Sequence, residues 1–363
     1  MSKIVIDARE LRTSTGRYVE RLLHYLQQID TGNDYTVLLK PVDLDGWQPS
    51  NPRFTPLACP HKEFTLDEQF GLKKQLEGLQ PDLVHFTMTQ QPVWYKGKVV
   101  TTMQDLTTLR FYNPAKNRVV FWVKQQVYKW VVKRVAKKSL QVITPTEFVK
   151  QDVAGFTRIQ LDKITVTLEA ADAIADEPQP VGGLENKRFI MYVGRPTPHK
   201  NLPRLIAAFQ ELQKTEPDLM LVLAGRHDKN YARIAADVTK QGIQNILFTN
   251  YISDGQLRWL YEHCAAYVFP SLSEGFGLPG LEAMMHGAPV VSSNATCLPE
   301  VHGDAAHYFN PLDVHDMAQK IGEVVSNESL RAELVTKGKE QVKKFSWQRM
   351  AEQTLAVYES VLK

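Results

Sequence analysis

Residues 269–289 of the chain, FPSLSEGFGLPGLEAMMHGAP, decide the fold class and contain the first candidate site. The apolar run AAYVFP (265–270) comes just before the glycines, and the helix-like run GLEAMMHG (280–287) follows them. This order predicts a strand, a tight glycine loop and then a helix. Pro279 suits the first turn of that helix, where its missing N–H costs little. Strands that lead into helices in this way build parallel sheets.

Two glutamates, Glu274 and Glu282, lie within this stretch. We expect Glu274 on the loop and Glu282 in the first helical turn, both at the carboxyl edge of a parallel sheet, where such folds bind ligands. The unpaired N–H groups of the helix start favour an anion such as phosphate at the same place. The stretch therefore predicts a ligand that carries phosphate and many hydroxyl groups.

The composition of the 363-residue chain, 43% hydrophobic and 23% charged, is that of an ordinary globular protein long enough for two domains. Its net charge of +3 is too small to indicate nucleic-acid binding. The three cysteines, Cys59, Cys264 and Cys297, lack metal-ligand spacing, which favours a reducing cytosol. We expect no signal peptide, and no apolar run approaches the length of a membrane span.

Short apolar runs alternate with helical patterns along the whole chain. Eleven runs are predicted strands: 3–8, 35–40, 82–87, 98–103, 140–146, 164–168, 189–194, 219–225, 246–251, 266–271 and 289–293. The polar segment DEPQPVGGLENK (176–187) is predicted to be a linker. The pattern predicts an α/β fold with two Rossmann-like, doubly wound parallel-sheet domains of five or six strands each, residues 1–175 and 188–346.

Further candidate residues follow other predicted strands. Arg195 and Lys200 lie between the strand that ends at Gly194 and the next helix, where two cations suit a diphosphate. Gly16 begins the helix after the first strand; it either lets the backbone approach a ligand or is an ordinary turn glycine. The strand end at Tyr251 is a place for backbone contacts to a nucleotide base.

A basic stretch runs from Arg110 to Lys138 and contains nine Lys or Arg residues, while residues 106–146 contain no Asp or Glu. Aromatic residues lie between these cations, as in a helix that binds anionic lipid headgroups; the alternative is a solvated helix face. A row of valines with helical spacing is expected to face the core: Val119, Val123, Val127, Val131 and Val135.

The run SLSEGFGLPGLEAMMHGAPVVSSNATCLPEVHGDAA (271–306), with GRPTPHKNLPRLIAAF (194–209) before it, closely resembles retaining glycosyltransferase family 4. That resemblance implies the GT-B architecture, in which two Rossmann-like domains face a central cleft. It also implies that the C-terminal helix, from about residue 347, returns to the N-terminal domain. The start of the chain, IDARE…GRYVERLL, resembles the bacterial mannosyltransferase-type members.

The resemblance implies a role for each matching residue. Arg195 and Lys200 would bind the donor diphosphate and stabilise the leaving phosphate. Glu274 would contact hydroxyls of the donor sugar, and Glu282 would hold the ribose hydroxyls. Donor contacts are also implied for Gly16, Gly194, Tyr251, Gly275, Phe276, Gly277 and Leu278.

The segment TTMQDLTTL departs from the family pattern, because many members carry a histidine where this chain has Gln104. Gln104 can donate and accept hydrogen bonds but cannot titrate, so we expect it and Asp105 to position the acceptor or the donor sugar.

The predicted function is retaining, metal-independent transfer of a hexose from a nucleotide-diphosphate sugar to a saccharide or lipid-linked saccharide. GDP-mannose is the favoured donor, no separate cofactor is expected, and the predicted location is the cytoplasm, peripherally at the inner face of the plasma membrane. The alternatives are a UDP-hexose-dependent glucosyl- or N-acetylhexosaminyltransferase, a nucleotide-sugar epimerase and a non-catalytic nucleotide-sugar binding protein.

Overall fold

The computed structural model describes residues 1–13, 16–111, 118–226 and 228–363, with only the backbone of residues 118–120. The described chain divides into two compact units. The first contains residues 1–13, 16–110, 118–169 and 346–363, and the second consists mainly of residues 170–226 and 228–345.

The elements alternate between strand and helix along most of the described chain. The strands are β1 (Lys3–Asp7), β2 (Asp34–Leu39), β3 (Phe54–Ala58), β4 (Leu83–Phe86), β5 (Val99–Thr102), β6 (Gln141–Thr144), β7 (Ile164–Val166), β8 (Phe189–Val193), β9 (Met220–Ala224), β10 (Ile246–Phe248), β11 (Ala266–Phe269), β12 (Val290–Ser293) and β13 (Ala306–Phe309). The helices are α1 (Gly16–Ile29), α2 (Lys73–Leu79), α3 (Thr107–Arg110), α4 (Arg118–Lys138), α5 (Glu147–Thr157), α6 (Leu202–Leu212), α7 (Lys229–Lys240), α8 (Asp254–His263), α9 (Leu278–Met285), α10 (Leu298–His302), α11 (Val314–Ser326), α12 (Glu328–Val342) and α13 (Trp347–Leu362).

The first unit is built on a seven-stranded parallel sheet with the order β3-β2-β1-β4-β5-β6-β7. Helix α1 buries its predicted apolar side of Tyr18, Leu22, Leu23 and Leu26. Helix α13 packs against α1, and the Tyr358 hydroxyl lies 2.5 Å from Nδ1 of the buried His85 on β4. The last helix of the chain is therefore part of the first unit.

The second unit is built on a six-stranded parallel sheet with the order β10-β9-β8-β11-β12-β13. Helix α6 buries its predicted apolar face, Leu202, Leu205, Ile206, Phe209 and Leu212. Parallel strands place all of their carboxyl ends at one edge of the sheet. Strands β8 and β11 are neighbours, so the loops that follow them lie side by side at that edge.

The predicted α/β class with two Rossmann-like parallel-sheet units is confirmed, but the strand prediction omitted one strand in each unit. The first omission is β3, whose Pro56 argues against a central strand; β3 lies at the sheet edge, where proline is tolerated. The second is β13, another edge strand, whose His307 and Tyr308 are only partly buried.

The segment 176–187 packs against the second unit. Gln179 donates its N–H to Gly255 O at 3.0 Å, and Val181 and Leu184 are buried. The division between the units falls at Glu169 and Ala170, ahead of the segment that the sequence pattern predicts as a linker.

The prediction that the valine row of α4 faces the core is wrong for Val123 and Val127, which are 49% and 56% exposed, and right for Val135, which is buried. The side chain of Val119 lies outside the described residues. A four-residue spacing advances about 400° around a helix, so each step drifts about 40° and the row leaves the buried face. The helix instead buries Val132, Val135 and Ala136.

None of the helices in the described ranges is both long enough and apolar enough to cross a membrane.

Candidate functional site

Two loops meet at the carboxyl edge of the second sheet. Residues 194–201 follow β8, and residues 270–277 follow β11. The N–H of Leu272 donates to the carbonyl of His199 at 2.7 Å, which joins the two loops directly. This contact brings Lys200 and Glu274 together although 74 positions separate them in the chain.

Lys200 and Glu274 form the central ion pair of this edge. Lys200 Nζ lies 2.6 Å from Glu274 Oε1, and the side chains are only 20% and 13% exposed. Lys200 is predicted to bind the diphosphate and Glu274 the sugar hydroxyls, whereas in the structure the two side chains also bind each other. A lysine held in this way presents its remaining N–H donors to an anion while the carboxylate keeps it oriented. Burial and the charge of Lys200 also lower the pKa of the neighbouring His199 to about 4, so this imidazole is neutral at pH 7.

Arg195 lies on the same loop but points into solvent. Its side chain is 72% exposed, and its nearest carboxylate oxygen, Asp228 Oδ2, is 3.9 Å from NH2. Such a long, exposed ion pair contributes little to stability. The guanidinium can therefore turn toward an incoming ligand at low cost.

Asn201 anchors the loop that carries Lys200. Its backbone is left-handed, with φ of 60°, and its side chain is buried. Nδ2 donates to the carbonyls of Pro270 and Pro311 at 3.1 and 2.7 Å. One amide thus ties the loop after β8 to the ends of β11 and β13.

The backbone of Glu274 is held from the loop that follows β12. Its N–H donates to Thr296 Oγ1 at 3.1 Å, and its carbonyl accepts from the Cys297 thiol at 3.3 Å. Burial raises the pKa of that thiol well above its usual range, so Cys297 remains a protonated hydrogen-bond donor. These contacts fix the position from which the Glu274 carboxylate reaches Lys200.

Two glycines, Gly277 just before α9 and Gly280 in its first turn, lie beside His302. A Cβ at Gly280 would lie 2.1 Å from His302 Nε2, and Gly277 has a φ of 98°, a conformation that favours glycine. Complete burial lowers the pKa of His302 to about 4, so the ring packs as a neutral group. Pro279 occupies the first turn of α9, as predicted.

The remaining predicted donor residues of this unit have different environments. Glu282 was predicted in the first turn of α9 and lies just beyond that turn. Its side chain is buried, and its Oε2 lies 3.5 Å from the hydroxyl of Tyr261. The Phe276 ring is buried against Phe345, so only its backbone can contact a ligand. Tyr251 is a highly exposed side chain beyond β10. Gly194 has a φ of 141°, and its carbonyl accepts from Tyr231 OH.

The first unit contains the other three predicted residues. Gly16 has a structural reason to be glycine, because a Cβ there would lie 2.1 Å from the Leu11 carbonyl oxygen. Gln104 and Asp105 follow β5 and are half-buried. Asp105 Oδ1 accepts from the N–H of Thr107 at 2.8 Å.

Four residues of the second unit were missed by the sequence analysis as parts of the site: Asn201, Thr296, Cys297 and His302. Asn201 directly follows the predicted Lys200, and asparagine tolerates the left-handed conformation better than most residues. The other three lie in the run NATCLPEVH, which carries the family resemblance without a local chemical signal. Among the described residues no group of three or more His, Cys, Asp or Glu side chains could hold a metal ion.

Two family profiles match the chain. The profile described as "Glycosyltransferase Family 4" matches residues 15–173, and the profile described as "Glycosyl transferases group 1" matches residues 174–341. The first profile covers most of the first unit, and the second profile covers most of the second unit.

Two mannosyltransferases of Escherichia coli are similar to this chain. The O-antigen chain mannosyltransferase B of Escherichia coli is 31% identical over 275 residues, which cover 72% of this chain and 70% of the relative. The serotype-specific mannosyltransferase WbdA of Escherichia coli is 34% identical over 220 residues, 55% of this chain but only 26% of the relative. The chain thus matches about a quarter of the length of WbdA.

Solved structures show the same fold. The sucrose-phosphate synthase (tll1590) from Thermosynechococcus elongatus superposes with a TM-score of 0.78 over 99% of both chains, at 17% sequence identity. The chain therefore belongs to the group 1 glycosyltransferases, in family 4, and has their GT-B architecture.

Proposed function

We propose that the protein transfers mannose, with retention of configuration, from GDP-mannose to a saccharide or lipid-linked saccharide during synthesis of a cell-surface polysaccharide. The mannosyltransferase relatives support the choice of mannose. The O-antigen chain mannosyltransferase B supports a polysaccharide product. GDP-mannose is the substrate in this proposal, and neither a separate cofactor nor a metal ion takes part.

Catalysis in this proposal rests on stabilising the departing diphosphate. Lys200 and Arg195 supply positive charge, and the N–H groups at the start of α9 add the positive end of a helix dipole. Glu274 contacts hydroxyls of the donor sugar and Glu282 those of the ribose. The leaving phosphate oxygen accepts the proton of the attacking acceptor hydroxyl, so transfer occurs on one face of the sugar without a protein nucleophile.

The observation that carries the proposal is the partly buried pair of Lys200 and Glu274, with the exposed Arg195 on the same loop as Lys200. A purely structural ion pair would not need a second, unrestrained cation on the same loop.

Replacement of the two cations tests this proposal. We expect Lys200→Ala and Arg195→Ala each to lower kcat for mannose transfer by about 100-fold or more, because each removes charge that stabilises the leaving group. Lys240→Ala on the exposed last turn of α7 is the matched control and should transfer at the wild-type rate. Near-native transfer by both site variants would contradict the proposed roles.

A donor panel tests the choice of nucleotide. GDP-mannose should raise the melting temperature of the protein more than UDP-glucose or UDP-N-acetylglucosamine at equal concentration, because tighter binding to the folded state stabilises it more. A larger shift with either UDP-sugar would replace the proposed donor.

We also propose that the protein acts in the cytoplasm and binds the anionic inner face of the plasma membrane through the stretch Arg110–Lys138. An exposed aromatic row supports this proposal: the ring of Trp94 lies 5.9 Å from that of Phe70 and 6.3 Å from that of Trp130 on α4. Trp122 and the lysines 124, 133 and 137 of α4 are exposed as well. Aromatic rings beside lysines suit the boundary between headgroups and acyl chains.

The two ends of the stretch contribute less charge than its sequence indicates. Arg110 pairs with Asp152, and Lys138 donates to the carbonyl of Pro92 at 2.5 Å. Burial lowers the pKa of Lys138 to about 7. The exposed lysines of α4 are therefore the cations that this proposal assigns to the membrane, without Arg110 and Lys138.

Vesicle flotation tests the membrane proposal. The protein should float with phosphatidylglycerol vesicles and not with phosphatidylcholine vesicles, and Trp122→Ser with Trp130→Ser should abolish binding. Leu312→Ser, which removes an exposed apolar side chain of the second unit, is the control and should bind normally. Equal binding to both vesicles, or none, would contradict this surface.

A further inference from the structure

A buried carboxyl group of the first unit has no part in the roles described above. Glu169 follows β7, is 4% exposed, and its buried Oε1 has no hydrogen-bond partner in the part of the chain that the structure describes. Burial raises the pKa of Glu169 from 4.5 to about 7, although a side-chain hydrogen bond from Gln104 and the charge of Arg17 act in the opposite direction. An unpartnered buried oxygen is costly, so natural structures keep few of them without a ligand or water.

Gln104 is the immediate neighbour of this carboxyl group. It follows β5 at the carboxyl edge of the first sheet, and its buried Nε2 also lacks a partner among the described residues. A side-chain hydrogen bond from Gln104 favours the ionised form of Glu169, but its geometry falls short of an ordinary hydrogen bond. A donor, Gln104 Nε2, and an acceptor, Glu169 Oε1, therefore lie side by side without a well-formed hydrogen bond.

We propose that Gln104 and Glu169 form a binding pair for one hydroxyl group of a sugar. A hydroxyl is the group that both accepts and donates: its oxygen accepts from Gln104 Nε2, and its hydrogen is donated to Glu169 Oε1. This inference rests on the proposed function, because the hydroxyl belongs either to the mannose of the donor or to the acceptor saccharide. Glu169 is then a substrate-binding residue for which the family resemblance implies no role.

Burial disfavours the ionised carboxylate, and two neighbours favour it: the charge of Arg17 on helix α1 and the hydrogen bond from Gln104. Tyr18 on α1 is also near; the charge of Glu169 contributes to its raised pKa, and its hydroxyl lies 2.8 Å from Thr102 Oγ1. A carboxylate accepts a hydrogen bond from the sugar, and bonds to charged groups are stronger than neutral ones. Binding of the hydroxyl should therefore strengthen as the pH rises through about 7, the pKa of Glu169.

The test compares Glu169→Gln with the wild-type protein in mannose transfer between pH 6 and 8.5. GDP-mannose and methyl α-D-mannopyranoside are varied separately. At pH 8 the variant should lose about 10- to 100-fold in kcat/KM, the loss expected for a hydrogen bond to a charged group. The rise of wild-type kcat/KM between pH 6 and 8 should be absent from the variant. The substrate whose KM increases identifies the sugar that supplies the hydroxyl.

Two further variants keep the test decisive. Thr167→Val removes a buried hydroxyl of the same segment that has no hydrogen-bond partner among the described residues, and it should keep wild-type kinetics and pH dependence. If Glu169→Gln does not fold, Gln104→Leu removes the donor of the pair and should show the same loss. An unchanged kcat/KM and pH profile in the folded variant overturns the inference, because the site would then hold a water molecule only.

A binding measurement separates failure of this inference from failure of the proposed function. If wild-type protein transfers no mannose, saturation-transfer NMR with the same two saccharides still reports binding. Weaker binding by Glu169→Gln would then support the hydroxyl pair and reject the transfer reaction. Binding of neither saccharide, or equal binding by both proteins, overturns the pair.

Discussion

Replacement of Asn201 tests how the loop that carries Lys200 is held. The variant Asn201→Ala deletes two buried hydrogen bonds to the carbonyls of Pro270 and Pro311. It also removes the partly buried bond that Asn201 Oδ1 accepts from Arg204, which contributes less than the two buried ones. Each buried bond contributes about 1 kcal/mol net, and a left-handed alanine costs about 1 kcal/mol more than a residue that tolerates this conformation. We therefore expect the second unit to lose about 3 kcal/mol of unfolding free energy.

Asn201→Gly is the matched variant. It loses the same two hydrogen bonds but adopts the φ of 60° without strain, so it should lose only about 2 kcal/mol. Both variants should also slow mannose transfer, because the loop then no longer holds Lys200 against Glu274. The difference between the variants isolates the backbone strain from the hydrogen bonds.

Urea denaturation combined with hydrogen-exchange mass spectrometry is the appropriate assay, because a two-unit protein does not unfold in one step. Peptides from β8 and β11 report the second unit, and peptides from β1 and β4 serve as an internal control. An alanine variant within about 0.5 kcal/mol of wild type would refute the anchoring role. A glycine variant less stable than the alanine variant would refute the strain component.

Three other predictions concern packing, pH and metal ions. Gly280→Ala should lower the free energy of unfolding by about 1–3 kcal/mol, because its Cβ would collide with the buried ring of His302. Gly155→Ala in α5 is the control: its Cβ meets no neighbour, so the variant should be as stable as wild type or more stable. Thermal denaturation measures both variants. The raised pKa means that Glu169 binds its proton more tightly in the folded protein than in the unfolded one. The free energy of unfolding of wild type should therefore fall as the pH rises from 4.5 through about 7, by as much as about 3 kcal/mol. Urea titrations at each pH should show no such fall for Glu169→Gln. Transfer should persist in EDTA, and complete loss that Mn²⁺ or Mg²⁺ restores would reject the metal-independent reaction.

Most of the fold was predictable because strands of a parallel sheet are local features of the sequence. Buried on both faces, they form short apolar runs that are visible in the sequence. The exceptions, β3 and β13, are edge strands with proline or polar residues, because an edge strand is less completely buried and its composition is less constrained. The valine row of α4 misled for another reason: a four-residue spacing drifts about 40° around the helix at each step, so the row leaves the buried face.

The residues of the candidate site could be predicted from the sequence, but the contacts that hold them in place could not. Arg195, Lys200 and Glu274 could be assigned to loops after predicted strands, since such loops lie at the carboxyl edge of a sheet. The buried anchors were not predictable, because Thr296 and Cys297 hold Glu274 through its backbone, a contact that has no sequence signal.

The sequence by itself determined two parallel-sheet units and the strand ends from which the candidate residues extend. Only the tertiary structure decided which of these residues meet. Lys200 pairs with Glu274 because β8 and β11 are adjacent in the sheet, although two other strands separate them in the chain. Glu169 contacts Gln104 because the segment after β7 returns to the end of β5, which buries a carboxyl group and raises its pKa. Strand order and burial depend on contacts between distant parts of the chain, and local sequence patterns do not contain them.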